Sequence, residues 1–208
     1  MTRPPPSLVR SAELIREAAV LMAAGDRNNA CVITIPIPTN FAKKFPDGAM
    51  HNHGHEPHLT VLFVSPDVSP GTASKLLSLL RIALREFSPF RMQVDARTGL
   101  KDFGPNEEKG EKALWVPARS DPRGELERLN RVIKTALVRA GIEVEAHNDF
   151  VPHVTWAYVP NDISEKERQR QEALAASQLG DFWFDVRHVV LSLPQGDRPI
   201  MLKPILRR

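Results

Sequence analysis

The chain has 208 residues, 42% of them hydrophobic and 25% charged, with a formal net charge of +3 and a pI near 9.2. That composition excludes a disordered, collagen-like or disulfide-stapled protein, and the length suffices for one large domain or two small lobes around a real core. The mild basic excess suits an anionic substrate, but it is not the charge of a dedicated duplex-binding protein.

In chain order, the N-terminal stretch MTRPPPSLVRSAELIREAAVLMAAGD has no unbroken apolar run, because Glu13, Arg16 and Glu17 interrupt it. It reads as a proline-rich leader and an amphipathic helix over about 11–24, not as a signal peptide. No window reaches the length and apolarity of a membrane span. CVITIPIP alternates and is β-branched, the pattern of a strand, and it holds the single cysteine, Cys31. A lone cysteine in an apolar strand reads as a small buried hydrophobe and fits a reducing, cytoplasmic setting.

Residues 39–57 form a loop, HLTVLFV at 58–64 a strand, and Ser69 with Pro70 caps a helix reaching about Phe87. FRMQVDARTGL (90–100) is a strand, 101–112 a polar loop, and ALWVPAR (113–119) another strand. A long amphipathic helix follows and closes at Gly141; HVTWAYV (153–159) is the next strand. Ser164 and Glu167 form a capping box for a further helix, and FWFDVRHVVLSLPQG supplies one long or two short strands. Strands and helices alternate in two similar blocks, an α+β (α/β-like) pattern.

Residues 57–69, PHLTVLFVSPDVS, repeat at 152–164 as PHVTWAYVPNDIS, 95 positions later. Proline, histidine, threonine, valine, aspartate and serine recur in register, so each copy is a His-x-Thr strand, an Asp turn and a Ser-capped helix. Alternation along a strand puts His58 and Thr60 on one face and Leu59, Val61 and Phe63 on the other, and likewise His153 and Thr155 against Val154 and Trp156. The apolar set packs under the helices, and the His/Thr set lines whatever lies between two pseudo-symmetric lobes. Two imidazoles facing one substrate supply a general base and a general acid, and two hydroxyls hold non-bridging phosphate oxygens.

The paired HLT (58–60) and HVT (153–155) strands in a duplicated chain resemble the two-histidine (2H) phosphoesterase superfamily, which includes 2′–5′ RNA ligase-like proteins and cyclic nucleotide phosphodiesterases. The resemblance implies a bilobal fold of two mainly antiparallel sheets, outer helices and a central cleft. It covers residues 30–196, with 1–29 as an N-terminal extension and 197–208 as a basic C-terminal tail. It also implies metal-independent hydrolysis or formation of phosphodiesters on a nucleotide or RNA, with no cofactor; a monomer that does not engage a membrane is expected. His58 and His153 would then be the acid–base pair and Thr60 and Thr155 the phosphate holders. Which imidazole is base and which is acid stays open at this point.

Other readings compete. His51, His53 and His55 alternate in the histidine-rich HNHGHEPHLT and would share a face, so a metal-dependent hydrolase built on 51–58 is one alternative. Solvated loop histidines at the cleft rim are the plainer account. An RNA-binding or scaffold protein with little catalysis is the other alternative. His147 reads as peripheral and His188 as a strand residue without a chemical role. DFG at 102–104 has no glycine-rich loop or HRD motif beside it and is not read as a kinase motif. Its loop, with Lys101, Phe103, Lys109 and Lys112, reads as a solvated connection that could also offer a base-stacking ring.

Overall fold

The computed structural model of the protein describes residues 31–46, 56–65, 69–144, 150–193 and 196–203. The helix expected over 11–24 lies outside them. The elements are β1 (Cys31–Pro36), a single helical turn α1 (Thr39–Ala42), β2 (His58–Ser65), α2 (Pro70–Ala83), β3 (Phe90–Asp95), β4 (Lys101–Asp102), β5 (Glu111–Asp121), α3 (Glu125–Arg139), β6 (His153–Pro160), α4 (Glu165–Gln178), β7 (Asp181–Val186), β8 (His188–Ser192) and β9 (Arg198–Met201). The fold is α+β, with every strand pairing antiparallel.

The sheet runs β7-β3-β5-β6-β2-β1-β8-β9, with β4 added beside β5. Its two halves, β7-β3-β5-β6 and β2-β1-β8-β9, meet at the β2–β6 seam, and the register there is Leu59↔Val154. Leu59 and Val154 occupy the same position of the two sequence repeats, so the seam lies on the pseudo-twofold axis. FWFDVRHVVLSLPQG divides at Arg187 into β7 and β8, which belong to opposite halves. β9 pairs with β8 and carries the sheet past residue 196.

Both repeats open their helices alike. The Ser69 hydroxyl accepts from the Thr72 N–H and the Ser164 hydroxyl from the Glu167 N–H, each at 3.2 Å, satisfying an otherwise orphaned donor of the first turn. α3 buries Leu126, Leu129, Ile133 and Leu137 on one stripe at helical spacing. Cys31 is fully buried, and burial pushes its thiol up to about 12, as suits a core residue rather than a nucleophile.

Each repeat strand carries a β-bulge at the same place. Thr60 pairs with Thr34 but Leu62 pairs with Ile33, leaving Val61 as the extra residue; Thr155 pairs with Trp115 but Ala157 with Leu114, leaving Trp156 as the extra residue. The bulge reverses the alternation beyond it. Phe63, expected on the apolar face with Leu59, is therefore paired with Val32 on the His/Thr side, and Tyr158 is paired with Ala113 on that side. In the first repeat the carbonyl of Val61 is satisfied by the Asn130 side chain of α3 at 2.6 Å. Asn130→Ala should cost about 1–3 kcal/mol by leaving that carbonyl unmet, read as a lower urea midpoint at unchanged slope.

Candidate active site

The seam register sets the geometry of the four motif residues. Extended one residue each way from Leu59↔Val154, an antiparallel ladder puts His58 opposite Thr155 and Thr60 opposite His153. Leu59 and Val154 are fully buried beneath, whereas His58, Thr60, His153 and Thr155 are all half-buried on the opposite face. The two histidines thus stand on a diagonal of the ladder, a separation of roughly 7–8 Å in regular geometry, and the two threonines stand on the other.

Each imidazole is oriented in the same way. His58 Nδ1–H donates to the carbonyl of Glu56 at 2.8 Å, and His153 Nδ1–H donates to the carbonyl of Val151 at 2.7 Å. A carbonyl can only accept, so Nδ1 carries the proton in both rings, and Nε2 is the basic nitrogen whenever the ring is neutral. The accepting residue is in each case the one before a proline. Pro57 and Pro152 hold Glu56 and Val151 extended, which aims the carbonyl at the ring two residues on. The prolines' own carbonyls accept from Ile37 N–H and Ala118 N–H, each at 3.0 Å, and Pro36 and Pro117 are the cross-strand partners of His58 and His153. The sequence repeat is therefore also a repeat of ring orientation.

The surroundings of the two rings differ. Where β1 places Thr34 opposite Thr60, β5 places Trp115 opposite Thr155. Trp115 lies 5.3 Å from the His153 ring, Phe103 meets the same ring edge-on at 4.9 Å, and Phe103 and Trp115 stack at 4.8 Å. Burial among these rings lowers the His153 pKa to about 4; the bond to Val151 works in the opposite direction, and a charged His58 adds to the lowering. The Trp115 indole Nε1 is buried with no hydrogen-bond partner among the described residues. Trp115 carries no mark in ALWVPAR that singles it out, so only the strand pairing reveals it.

The sequence model of the 2′-5′ RNA ligase superfamily matches residues 42–198, most of the chain and both motifs. The chain belongs to the 2′-5′ RNA ligase superfamily, within the 2H phosphoesterases. The fold is similar to that of TT0787 of Thermus thermophilus, at 15% identity and a TM-score of 0.50, over 84% of this chain and 95% of that one. It is also similar to a solved phosphoesterase at 17% identity and a TM-score of 0.52, over 84% of this chain and 96% of that one. No curated protein matches.

The paired HLT and HVT motifs contain only two of the chain's seven histidines. His51, His53, His55 and His147 lie outside the described residues. His188 opens β8, two residues before Val190, which pairs with Thr34; this sets His188 on the face shared by Thr34 and Thr60. The 101–112 loop is not merely a solvated connection. Lys101 and Asp102 pair with Trp115 and Leu114, and Phe103 packs into the site. No helix among the described residues is long and apolar enough to cross a membrane.

The lowered His153 pKa has a signed consequence for stability. The unfolded chain takes up this proton near the ordinary histidine value of about 6.5, before the folded protein does. The contribution of neutral His153 is thus complete above that value and is lost as the pH falls toward about 4. Urea midpoints should drop more between pH 7 and pH 4.5 in the wild-type protein than in His153→Gln; equal drops would show that His153 titrates normally.

Proposed function

We propose that the protein is a phosphodiesterase that opens a nucleotide or RNA phosphodiester by His/His acid–base catalysis without a metal. A 2′,3′-cyclic phosphate, a 2′–5′ linkage or a cyclic oligonucleotide is the substrate class. The observation that carries this reading is the pseudo-symmetric quartet, in which both imidazoles are held by Nδ1 on one face of the seam, alternating with two threonine hydroxyls.

In this reading His153, kept neutral by its surroundings, is the base, and His58, in the more exposed setting, is the acid. His153 Nε2 takes a proton from water as the water oxygen attacks phosphorus. The bond from phosphorus to the ribose oxygen breaks on the opposite side, and the His58 imidazolium gives its proton to that oxygen. Thr60 and Thr155 donate hydrogen bonds to the non-bridging oxygens, whose charge grows in the transition state. Exchange of one proton each with solvent restores the pair. Binding the anionic phosphate favours the charged form of a nearby imidazole, so the His153 pKa moves up toward the working pH once substrate is in place.

Hydrolysis of 2′,3′-cyclic nucleotides and of 2′–5′-linked and cyclic oligonucleotides in excess chelator tests the reading. His58→Ala and His153→Ala should each lose about 10²–10⁴-fold in turnover, and Thr60→Val and Thr155→Val about 10²-fold in kcat with a smaller effect on KM. Undiminished turnover in either histidine variant contradicts it.

A further inference from the structure

We infer that residues 101–104 are a latch, closed from α4 by Arg168, that presses Phe103 onto Trp115 and His153 and so shields the imidazole from water. The inference rests on the reading of His153 as the base. It makes Phe103 and Arg168 positioning residues, neither of which needs to touch the reacting atoms.

The latch follows from alternation on the short strand β4. Lys101 pairs with Trp115 and Asp102 with Leu114, so Lys101 and Phe103 lie on the site face and Asp102 on the helix-covered face. There Arg168 grips the strand from behind. Its Nη1 donates to Asp102 Oδ2 at 2.6 Å and its Nη2 to the carbonyl of Leu100 at 3.3 Å. The bond to Asp102 raises the Arg168 pKa further, and Glu172 contacts the same guanidinium at 3.5 Å. Asp102 Oδ1 accepts from the Gly104 N–H at 2.9 Å, and Gly104 has a φ of 89°, a turn that a side chain would strain. This turn releases the chain from the strand just after Phe103.

The far end of the loop is tied to the same region. Asn161, which follows β6, accepts from Asn106 N–H at 3.0 Å, donates to Asn106 O at 2.8 Å and gives its own N–H to Gly110 O at 2.9 Å. Both ends of the loop are thus fastened to elements that follow the second motif. Phe103 is carried by the segment between them. Of the charged groups on the packed strands, His58 on β2 acts on His153; Lys101 on β4 lies on the same face, Arg119 on β5 is engaged by Gln93 and Trp183, and Asp102 by Arg168. A charged His58 opposes protonation of His153, and a ring that excludes water strengthens that effect.

The experiment is an NMR titration of the His153 ring in the full chain, with pH profiles of kcat/KM on whichever phosphodiester is turned over. In Phe103→Leu and in Arg168→Ala the His153 midpoint should rise by about one pH unit, and Arg168→Lys should recover part of the difference. The acid limb of kcat/KM should move with it, so that activity at pH 4, as a fraction of each protein's own plateau, is about fivefold lower in the variants than in the wild type. A midpoint unchanged in both variants overturns the inference. So does a raised KM with an unmoved limb in Phe103→Leu, which would make Phe103 a substrate-stacking ring. Arg168 is partly exposed, so Arg168→Ala keeps the test open if Phe103→Leu does not fold. Absence of turnover on every phosphodiester would defeat the proposed function, while the titration would still decide the latch.

Discussion

The antiparallel seam between β2 and β6 is the contact on which the rest of the molecule depends. Two copies of one strand–turn–helix unit can be placed side by side in many ways, but only a register centred on the equivalent residues Leu59 and Val154 sets each histidine against the other copy's threonine. A slip of one residue would turn the motif side chains into the core and the core residues outward. The burial of Leu59 and Val154 therefore acts as a registration device. The apolar pair under the seam selects the face on which the polar quartet stands, and the proline before each histidine fixes where each ring points.

Duplication alone would give two equivalent imidazoles, and equivalence is a poor starting point for acid–base chemistry. One group must hold a proton while the other lacks it. Placing two like charges close together raises the cost of protonating both. Which ring is charged then depends on differences in setting. Here the difference comes from outside the repeat: β5 offers Trp115 where β1 offers Thr34, and a loop inserted before β5 brings in Phe103. The repeat supplies the paired groups, and its departures from symmetry distinguish their environments.

Much of this was legible in the sequence because it is carried by local patterns. The two HxT strands, their helices and the serine caps all show as period-2 or period-3.6 patterning with recognisable start signals, and the repeat tied them together. The bulges at Val61 and Trp156 were not legible, because an extra residue in a β-branched, apolar run leaves no compositional trace; Phe63 was therefore expected on the wrong face. The strand β4 is two residues long, too short for any periodicity, and its pairing with β5 is a tertiary fact. For the same reason Trp115 stayed invisible, and Phe103 appeared only as one ring in a polar loop. Of the four histidines in HNHGHEPHLT, conspicuous in the sequence, His51, His53 and His55 lie outside the described residues, and the two motifs draw only His58 from that crowd.

The central claim is that His58 and His153 act together on one phosphodiester. Kinetics of the His58→Ala/His153→Ala double variant beside the two single variants measures this directly. Residues that work as one unit on one bond are strongly non-additive. The account predicts that the double variant is slower than the worse single variant by no more than a few-fold. Losses that multiply, as for two independent sites, would contradict it.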